Sequence, residues 1–362
     1  MPERPPSSQV PALYDGISVT ARGQVWGKKG RDTGLHVADR ERLDCRRMEK
    51  MMEREEFYFL SSDRQTQVHG YCWKPEGKAV AALQLSHGMM EHIGRYERFA
   101  AWMAERGVVV IGHDHLGHGK TGRREDLSFF AEKKGGVCLV QDLFSVTRIM
   151  EEKYPDIPHI LLGHSMGSFI ARRYLTVHGE HLDGLILMGT GGQPLWMACA
   201  GKLAAMLVGA VKGRRHQSFL MEEMVLGSYN RRFRPNRTTN DWLSTDEKQV
   251  DKFLSDPYCN IPFSCQAYVD FFNILIDLGL HRQFCLIPRS LPVLFVSGNQ
   301  DPVGGFGKGV ARVYKEFLHM GMKRVFIKLY PRDRHEVLNE RNWEEVYKDL
   351  WRWMEKEVIS EG

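Results

Sequence analysis

The sequence is poor in the features that mark several common classes of protein. Its seven cysteines are odd in number and none stands in a C-x-x-C pair, which argues against a disulfide framework and against a zinc finger. Free thiols are typical of a reducing compartment, so we expect a cytoplasmic location. The first residues contain no apolar stretch of the kind that a signal peptide requires.

Membrane-spanning and nucleic-acid-binding patterns are missing as well. The nearest approach to a membrane span runs from Pro194 to Val211, is short and is interrupted by Lys202. The formal net charge of +5 is mild, and with no nucleic-acid-binding motif we expect no such partner. With 362 residues, 43% of them hydrophobic, the chain can form one large α/β domain with an insertion, or two domains.

Residues 1–50 differ in composition from the rest of the chain. They are rich in Arg, Gly and Pro and have few periodic apolar positions, so we predict an N-terminal extension that is disordered. Met48, Met51 and Met52 stand just before the first strand-like segment. A start at one of these methionines would leave the compact domain intact, and we expect the extension to be dispensable.

From residue 57 the sequence alternates between strand-like and helical patterns. Such alternation predicts a mostly parallel, eight-stranded sheet with helices on both faces, and the first two strands form an antiparallel pair. The predicted strands are Phe57–Leu60, Val68–Trp73, Val80–Leu85, Val108–Gly112, Ile160–Gly163, Leu185–Met188, Val293–Val296 and Val325–Leu329. The predicted helices are Tyr96–Glu105, Val137–Lys153, Met166–Val177, Gly309–His319 and Trp343–Val358.

One long segment interrupts this alternation after the sixth strand. Residues 191–288 have a helical pattern rich in Met and aromatic residues, among them Trp196, Phe219 and Phe271. We predict a helical cap over the carboxyl edge of the sheet, where ligands bind in open α/β sheets. The α/β core then consists of residues 51–190 and 289–362.

The most informative motif is Gly163-His164-Ser165-Met166-Gly167. It lies between an apolar strand and a helical segment, so the serine sits at a sharp strand–helix turn with its hydroxyl at the sheet edge. Glycines two residues on either side allow the strand and helix backbones to approach closely. The alternative is a serine that caps a helix after a glycine turn. The motif predicts a nucleophile for acyl transfer.

A serine hydroxyl needs a base and a carboxylate that holds the base. In this architecture the order along the chain is Ser, then Asp or Glu, then His, each after a strand. Asp301 follows the seventh predicted strand and His335 follows the eighth. Asp333 competes for the role of the acid, but we favour Asp301 because it comes from a neighbouring strand. The predicted triad is therefore Ser165, Asp301 and His335.

Two backbone amides are expected to hold the oxyanion. One is the amide of Met166, directly after the nucleophile, and the other is that of Met89 in the loop after the third strand. Glu91 and His92 in the same loop are expected to brace it rather than to perform chemistry.

The segment Gly112–Gly119 contains three histidines and one aspartate. A metal site is one interpretation, but such sites usually have further ligands on distant loops. We favour a glycine-rich turn held by Asp114 and His118, and we expect no metal and no cofactor.

These motifs together resemble the monoacylglycerol lipase and lysophospholipase branch of the α/β-hydrolase superfamily, in the serine aminopeptidase-like sequence group. The resemblance covers about Glu55 to Met354 and implies the same triad and the same two oxyanion amides. One departure is Pro331-Arg332-Asp333, where a glycine is expected. The matching stretches are His87–His92 with Arg95-Tyr96, Asp114–Gly119, Gly163–Gly167, Ser297–Val303 and Arg334–Glu340.

The resemblance implies a cofactor-independent serine hydrolase that acts on lipid esters such as monoacylglycerols or lysophospholipids. A Met-rich and aromatic cap suits an acyl chain, and its apolar segment makes transient contact with a membrane surface an open alternative. Two other functions stay open, an amide or peptide hydrolase and a non-catalytic small-molecule receptor. The sequence leaves the oligomeric state open.

Overall fold

The structure is a computed structural model that describes residues 53–280 and 286–361. The N-terminal segment 1–50, predicted to be disordered, and the methionines at 48, 51 and 52 lie outside the described residues.

Eight strands form a single twisted sheet in the order β1-β2-β4-β3-β5-β6-β7-β8. β1 pairs with β2 and β2 pairs with β4 in antiparallel fashion, and the remaining neighbours are parallel. The predicted mostly parallel sheet is thus confirmed. The strands are β1 (Glu53–Leu60), β2 (Gln67–Lys74), β3 (Ala81–Ser86), β4 (Val108–His113), β5 (His159–His164), β6 (Gly184–Met188), β7 (Val293–Gly298) and β8 (Val325–Tyr330).

The edge strand β1 begins at Glu53, four residues before the predicted start at Phe57. Its first residues are charged and exposed, so they carry no apolar signal, but they pair with β2 through Lys74 opposite Glu53. The Lys74 ammonium also lies 2.8 Å from the Glu55 carboxylate. Charged residues on an edge strand are common because they discourage pairing with other chains.

Helices cover both faces of the sheet, and alternate residues of each central strand point to opposite layers. In β5, Leu161 packs into the layer on one face, while Ile160 and Leu162 pack into the layer on the other. The α-helices are α1 (Glu97–Ala104), α2 (Gly135–Lys153), α3 (Met166–His178), α4 (Leu195–Lys212), α5 (Phe219–Leu226), α6 (Glu247–Ser255), α7 (Cys265–Gly279), α8 (Lys308–His319) and α9 (Trp343–Glu357).

Helices α4 to α7 lie between β6 and β7 in the chain, and we call residues 191–288 the insertion. Its helix α7 rests on core helix α3 through the rings of Phe271 and Phe169, whose centroids are 5.8 Å apart. Gly201 of α4 lies directly against the Phe272 ring of α7, where a Cβ would overlap that ring. These contacts hold the insertion on the helix that begins after Ser165.

Candidate active site

Ser165 lies in the turn between β5 and α3 in a strained backbone conformation, with φ 52° and ψ −120°. A non-glycine residue at positive φ is uncommon and is often found at functional sites. A Cβ on Gly163 would overlap the Gly167 carbonyl, and one on Gly167 would overlap the carbonyl of Ser86 in β3. Both glycines are therefore required for the turn that presents Ser165.

His335 and Asp301 are joined by a hydrogen bond at the same edge of the sheet. His335 Nδ1 donates to Asp301 Oδ1 at 3.0 Å, and both side chains are buried. The Val303 amide donates to the same oxygen at 2.9 Å, while the Ser297 hydroxyl donates to Oδ2 at 3.1 Å. These bonds hold the carboxylate in its orientation toward the imidazole.

Asp333, the competing acid, does not bond to His335. Its buried carboxyl lies elsewhere in the His335 loop, and burial raises its pKa to about 6. In the same loop Arg332 has φ 72°, at the departure where the resemblance expects a glycine. A glycine would adopt this left-handed conformation without strain.

Ser165 and His335 line the same cavity. Within the described part of the chain, no hydrogen bond joins the side chains of Ser165 and His335. In enzymes without bound substrate, the distance between the nucleophile and its base is often longer than a hydrogen bond. The imidazole of His335 packs against the rings of His164 and Trp242, whose centroids are 4.8 Å and 5.0 Å away. This packing restricts the imidazole to the cavity wall that contains Ser165.

Met89 and Met166, the residues whose amides are predicted to hold an oxyanion, also line this cavity. The amides on either side of Met89 are engaged, Gly88 N by Glu91 Oε1 at 2.6 Å and Met90 N by His118 Nε2 at 3.4 Å. The Met89 amide has no hydrogen-bond acceptor within the described part of the chain. Met166 is the first residue of α3, where a helix leaves its amides without intrahelical partners.

Glu91 organises the loop that contains Met89. Its Oε1 accepts from the Gly88 amide and from the Tyr96 hydroxyl, and lies 3.0 Å from His164 Nδ1. Burial alone would raise the pKa of Glu91 and lower that of His164. The bond to Glu91 nevertheless raises the pKa of the His164 imidazole. The same bond, together with the charge of Arg95, holds the pKa of the Glu91 carboxyl well below its usual value. Glu91 thus braces the loop, as the sequence predicts, and contacts the residue before Ser165.

Arg95 extends this network to the His335 loop. Its guanidinium donates to Glu91 Oε2 at 2.7 Å and forms two bonds of 2.7 Å to the carboxylate of Glu336, next to His335. Arg95 and Glu336 belong to separate sequence motifs, and neither motif predicts that the two side chains pair. They are 241 residues apart, and only the fold brings them together.

The histidine-rich segment after β4 is organised by Asp114. Its oxygens accept from the amides of Ile93 and Lys120, at 2.8 Å and 2.9 Å, and Oδ2 bonds to His69 Nδ1. These bonds outweigh the effect of burial and lower the pKa of Asp114 to about 2. Through these hydrogen bonds, Asp114 holds the turn after β4.

Among the described residues, one group of three side chains has metal-ligand chemistry, namely His92, Asp256 and Cys259. His92 Nε2 already bonds to Asp256 Oδ2 at 2.9 Å, and burial raises the pKa of the Cys259 thiol. A protonated thiol is a poor metal ligand. The hydrogen bond between His92 and Asp256 therefore connects the loop after β3 to the insertion.

The cavity above Ser165 has a volume of about 330 Å³ and extends between α3 and the insertion. Its walls are mainly apolar, which suits a hydrophobic ligand. The large apolar and aromatic side chains from the insertion that line it are Trp196, Met197, Met221, Met224, Val225, Leu226, Tyr229, Trp242, Leu243, Phe253, Phe271, Phe272 and Leu275.

The strand order and the turn at Ser165 place the molecule among the α/β-hydrolases, a superfamily that includes many esterases and lipases with a serine at this turn. The family model described as serine aminopeptidase, S33, matches residues 77–342. The chain therefore belongs to this family, and it is a serine-dependent ester hydrolase of the α/β-hydrolase superfamily.

Individual relatives agree with the family assignment. A monoglyceride lipase of Rattus norvegicus is 32% identical over 232 residues, 63% of this chain and 68% of that protein. A monoacylglycerol lipase of Mycolicibacterium smegmatis is 28% identical over 289 residues, 78% and 90% of the two chains. A thermostable carboxyl esterase from Bacillus coagulans, solved with glycerol, has a TM-score of 0.78 at 30% identity and covers 85% of this chain and 99% of its own.

Proposed function

We propose that this enzyme hydrolyses monoacylglycerols and similar lipid esters through an acyl-enzyme on Ser165. The observation that carries the proposal is that Ser165 and His335 both line a mainly apolar cavity. An acyl chain in this cavity would contact apolar side chains along its length, and each buried methylene contributes about 0.8 kcal/mol. The names of the relatives, monoglyceride lipase and monoacylglycerol lipase, support the same substrate class.

In the proposed mechanism, His335 Nε2 removes the proton from Ser165 Oγ as this oxygen attacks the ester carbonyl carbon. The tetrahedral intermediate collapses, and His335 gives the proton to the departing alcohol oxygen. Water then attacks the acyl-enzyme with His335 again as the base, which releases the fatty acid and restores Ser165. Asp301 holds the Nδ1–H tautomer throughout and stabilises the imidazolium that forms.

The Met89 and Met166 amides are proposed to donate to the oxyanion of the tetrahedral intermediate. Both residues border the cavity beside Ser165. A preorganised donor of this kind is worth about 10²–10³ in rate. The backbone at Gly88 approaches the Ser165 side chain closely, since a Cβ on Gly88 would lie 3.1 Å from Ser165 Cβ.

We propose that residues 191–288 act as a cap on a core formed by residues 51–190 and 289–362. The cap would supply most of the apolar wall of the cavity, with Trp196 and Met224 at positions that are also exposed at the surface. Exposed side chains that also line the cavity suit the entrance for a lipid.

We further propose transient contact between this cap and a membrane surface. Helix α4 is long and apolar enough to cross a membrane by length and composition alone, and 11% of it is buried. A continuous apolar surface that is exposed on a protein usually marks an interaction site. Its large exposed side chains on α4 and α5 are Trp196, Met197, Leu203, Met206, Leu207, Val211, Phe219, Leu220 and Met224.

The membrane proposal is tested with the variant Leu203→Glu/Leu207→Glu and a matched surface control, Leu318→Glu on α8. Leu203 and Leu207 are 58% and 61% exposed, and the control residue Leu318 is 40% exposed. We expect the α4 variant to lose sedimentation with phosphatidylcholine vesicles and hydrolysis of vesicle-borne monoacylglycerol, but to keep activity on dissolved p-nitrophenyl butyrate. Equal vesicle binding by all three proteins would contradict the proposal.

A reducing, cytoplasmic location is proposed on the basis of the cysteines. Cys72, Cys138, Cys199, Cys259 and Cys265 are free thiols, and four of them are buried. Thiol titration of the protein purified without reductant, compared before and after unfolding, tests whether they stay reduced.

A substrate panel tests the proposed function. We expect hydrolysis of 1-monoacylglycerols with an optimum in chain length, weaker activity on lysophosphatidylcholine and none on aminoacyl-p-nitroanilides. Faster cleavage of the anilides would favour the amide hydrolase. Absence of turnover, together with saturable binding of a monoacylglycerol, would favour the receptor.

A further inference from the structure

Arg172 of α3 carries a buried charge without a carboxylate partner. Its side chain is 5% exposed, and its Nη1 donates to the Gly191 carbonyl at 2.9 Å. Its Nε has no hydrogen-bond acceptor in the part of the chain that the structure describes, and the charge of Glu316 acts on the guanidinium without forming an ion pair with it. Burial lowers the pKa of this guanidinium to about 10. A buried arginine is normally paired with a carboxylate, so this one stands out.

Arg172 faces a second cavity, which we call the side cavity, with a volume of about 270 Å³. A second arginine, Arg312 of α8, lines it and donates to the Gly192 carbonyl at 3.3 Å. Two guanidinium groups thus converge on adjacent carbonyls. The one acidic residue in the lining is Glu316, which leaves two positive charges against one negative charge.

Leu195, Leu275 and Leu278 form the apolar part of the side-cavity wall, beside glycine backbone and Gln193. Phe169, Gln193 and Leu275 line both this cavity and the one above Ser165. The side cavity is therefore separated from the substrate cavity by the thickness of these shared side chains.

We propose that the side cavity binds a free fatty acid, with its carboxylate on Arg172 and Arg312 and its chain against the leucines. The ligand must carry a single negative charge, which balances the net charge of the lining. It must also have an apolar tail. Planar guanidinium groups match a carboxylate well. The choice of a fatty acid rests on the proposed function, because ester hydrolysis releases this compound beside the shared wall.

The experiment uses enzyme whose Ser165 has been phosphonylated with a dodecyl fluorophosphonate, so that the substrate cavity is filled. Decanoate, decanol, acetate and inorganic phosphate are titrated by calorimetry. We expect saturable binding of one decanoate and much weaker binding of decanol and acetate. Phosphate binding as tight as decanoate binding would overturn the fatty acid in favour of a free anion. Absence of saturable decanoate binding would overturn the site altogether.

Variants separate a ligand site from a structural role. Arg172→Met is expected to weaken decanoate binding at least tenfold while the Tm of the ligand-free protein stays equal or rises, since an unpaired buried charge is removed. Arg173→Met is the matched control, because the neighbouring guanidinium lies 3.5 Å from Asp277, outside the lining. Unchanged affinity in Arg172→Met would overturn the proposal.

The exposed Arg312 provides a variant that does not depend on a buried substitution. Arg312→Met is expected to weaken decanoate binding several-fold, and unchanged affinity would count against the site even if Arg172→Met failed to fold. Failure of the fluorophosphonate to label Ser165 would instead contradict the proposed function, so the two failures are distinguishable.

Discussion

Arg95 forms a bidentate ion pair with Glu336, the residue directly after His335, through two bonds of 2.7 Å. The same guanidinium bonds to Glu91, which in turn holds Gly88 and contacts His164. The loop proposed to supply an oxyanion donor is therefore connected through charged groups to the loop of the proposed base. All three charged side chains are nearly or fully buried, so each depends on its partners.

Replacement of Arg95 by Met is expected to destabilise the fold and to lower kcat. The substitution leaves the carboxylates of Glu91 and Glu336 buried without their cation, and breaking a buried pair in this way costs about 3–5 kcal/mol. Urea unfolding and steady-state kinetics measure the two effects.

The control for Arg95→Met is Arg352→Met, at a surface arginine 72% exposed and 3.5 Å from Asp349. A surface pair of this kind contributes about 0–1 kcal/mol. An Arg95→Met enzyme as stable and as active as the Arg352→Met enzyme would contradict the proposed role of the network.

Asp301→Asn is expected to reduce kcat by about 10⁴ with little change in fold, because the amide no longer favours the required tautomer of His335. Asp333→Asn provides the comparison, since Asp333 lies two residues from His335 but has no bond to it. Kinetics on a short p-nitrophenyl ester measure both variants. Similar losses in the two variants would refute Asp301 as the acid.

Asp333 is also expected to make stability dependent on pH. Its pKa is raised by burial to about 6 in the fold, above the usual value near 3.8, so the folded state holds the proton more tightly. Stability contributed by the protonated carboxyl is present at low pH and is lost as the pH rises from about 4 to 6.

Asp333→Asn removes this titration. The free energy of unfolding of Asp333→Asn, relative to that of the native sequence, should increase from pH 4 to pH 6 and level off above that, by about 3 kcal/mol in total. Urea unfolding at several pH values measures it. A difference that is flat across this range, or that decreases, would show that the Asp333 carboxyl titrates normally.

Gly167→Ala is expected to abolish activity and to destabilise the protein severely. The new Cβ would overlap the backbone of Ser86 in β3, and a backbone atom of a central strand cannot move aside. Circular dichroism and thermal unfolding measure the effect. Gly77→Ala is the comparison, because no atom lies within 4 Å of that position although its φ is +85°. A Gly167→Ala protein that matched Gly77→Ala would disprove the close packing at this turn.

The fold and the proposed triad were predictable because both depend on local patterns. Apolar runs of strand length mark the central strands, and Ser165, Asp301 and His335 each follow one of them, so the sheet brings them to one edge. The start of β1 at the charged residue Glu53 was not predicted, because backbone pairing with β2 requires no apolar side chains in the sequence.

Contacts between distant segments were beyond sequence reasoning. Arg95 and Glu336 meet because α1 and the His335 loop pack against each other, and no periodic pattern encodes that approach. Arg172 looks like an ordinary basic residue on an amphipathic helix. Only its burial and the missing carboxylate identify it as unusual.

Hydrolysis of 1-monooleoylglycerol by Ser165→Ala and Ser168→Ala tests the central claim most directly. Ser168 is buried three residues further along α3 and donates to the Ser165 carbonyl at 2.6 Å, so it controls for the loss of a nearby hydroxyl. The account predicts that Ser165→Ala loses about 10⁶ in kcat, while Ser168→Ala keeps most of its activity. Comparable activity in Ser165→Ala and the native sequence would contradict the assignment of Ser165 as the nucleophile.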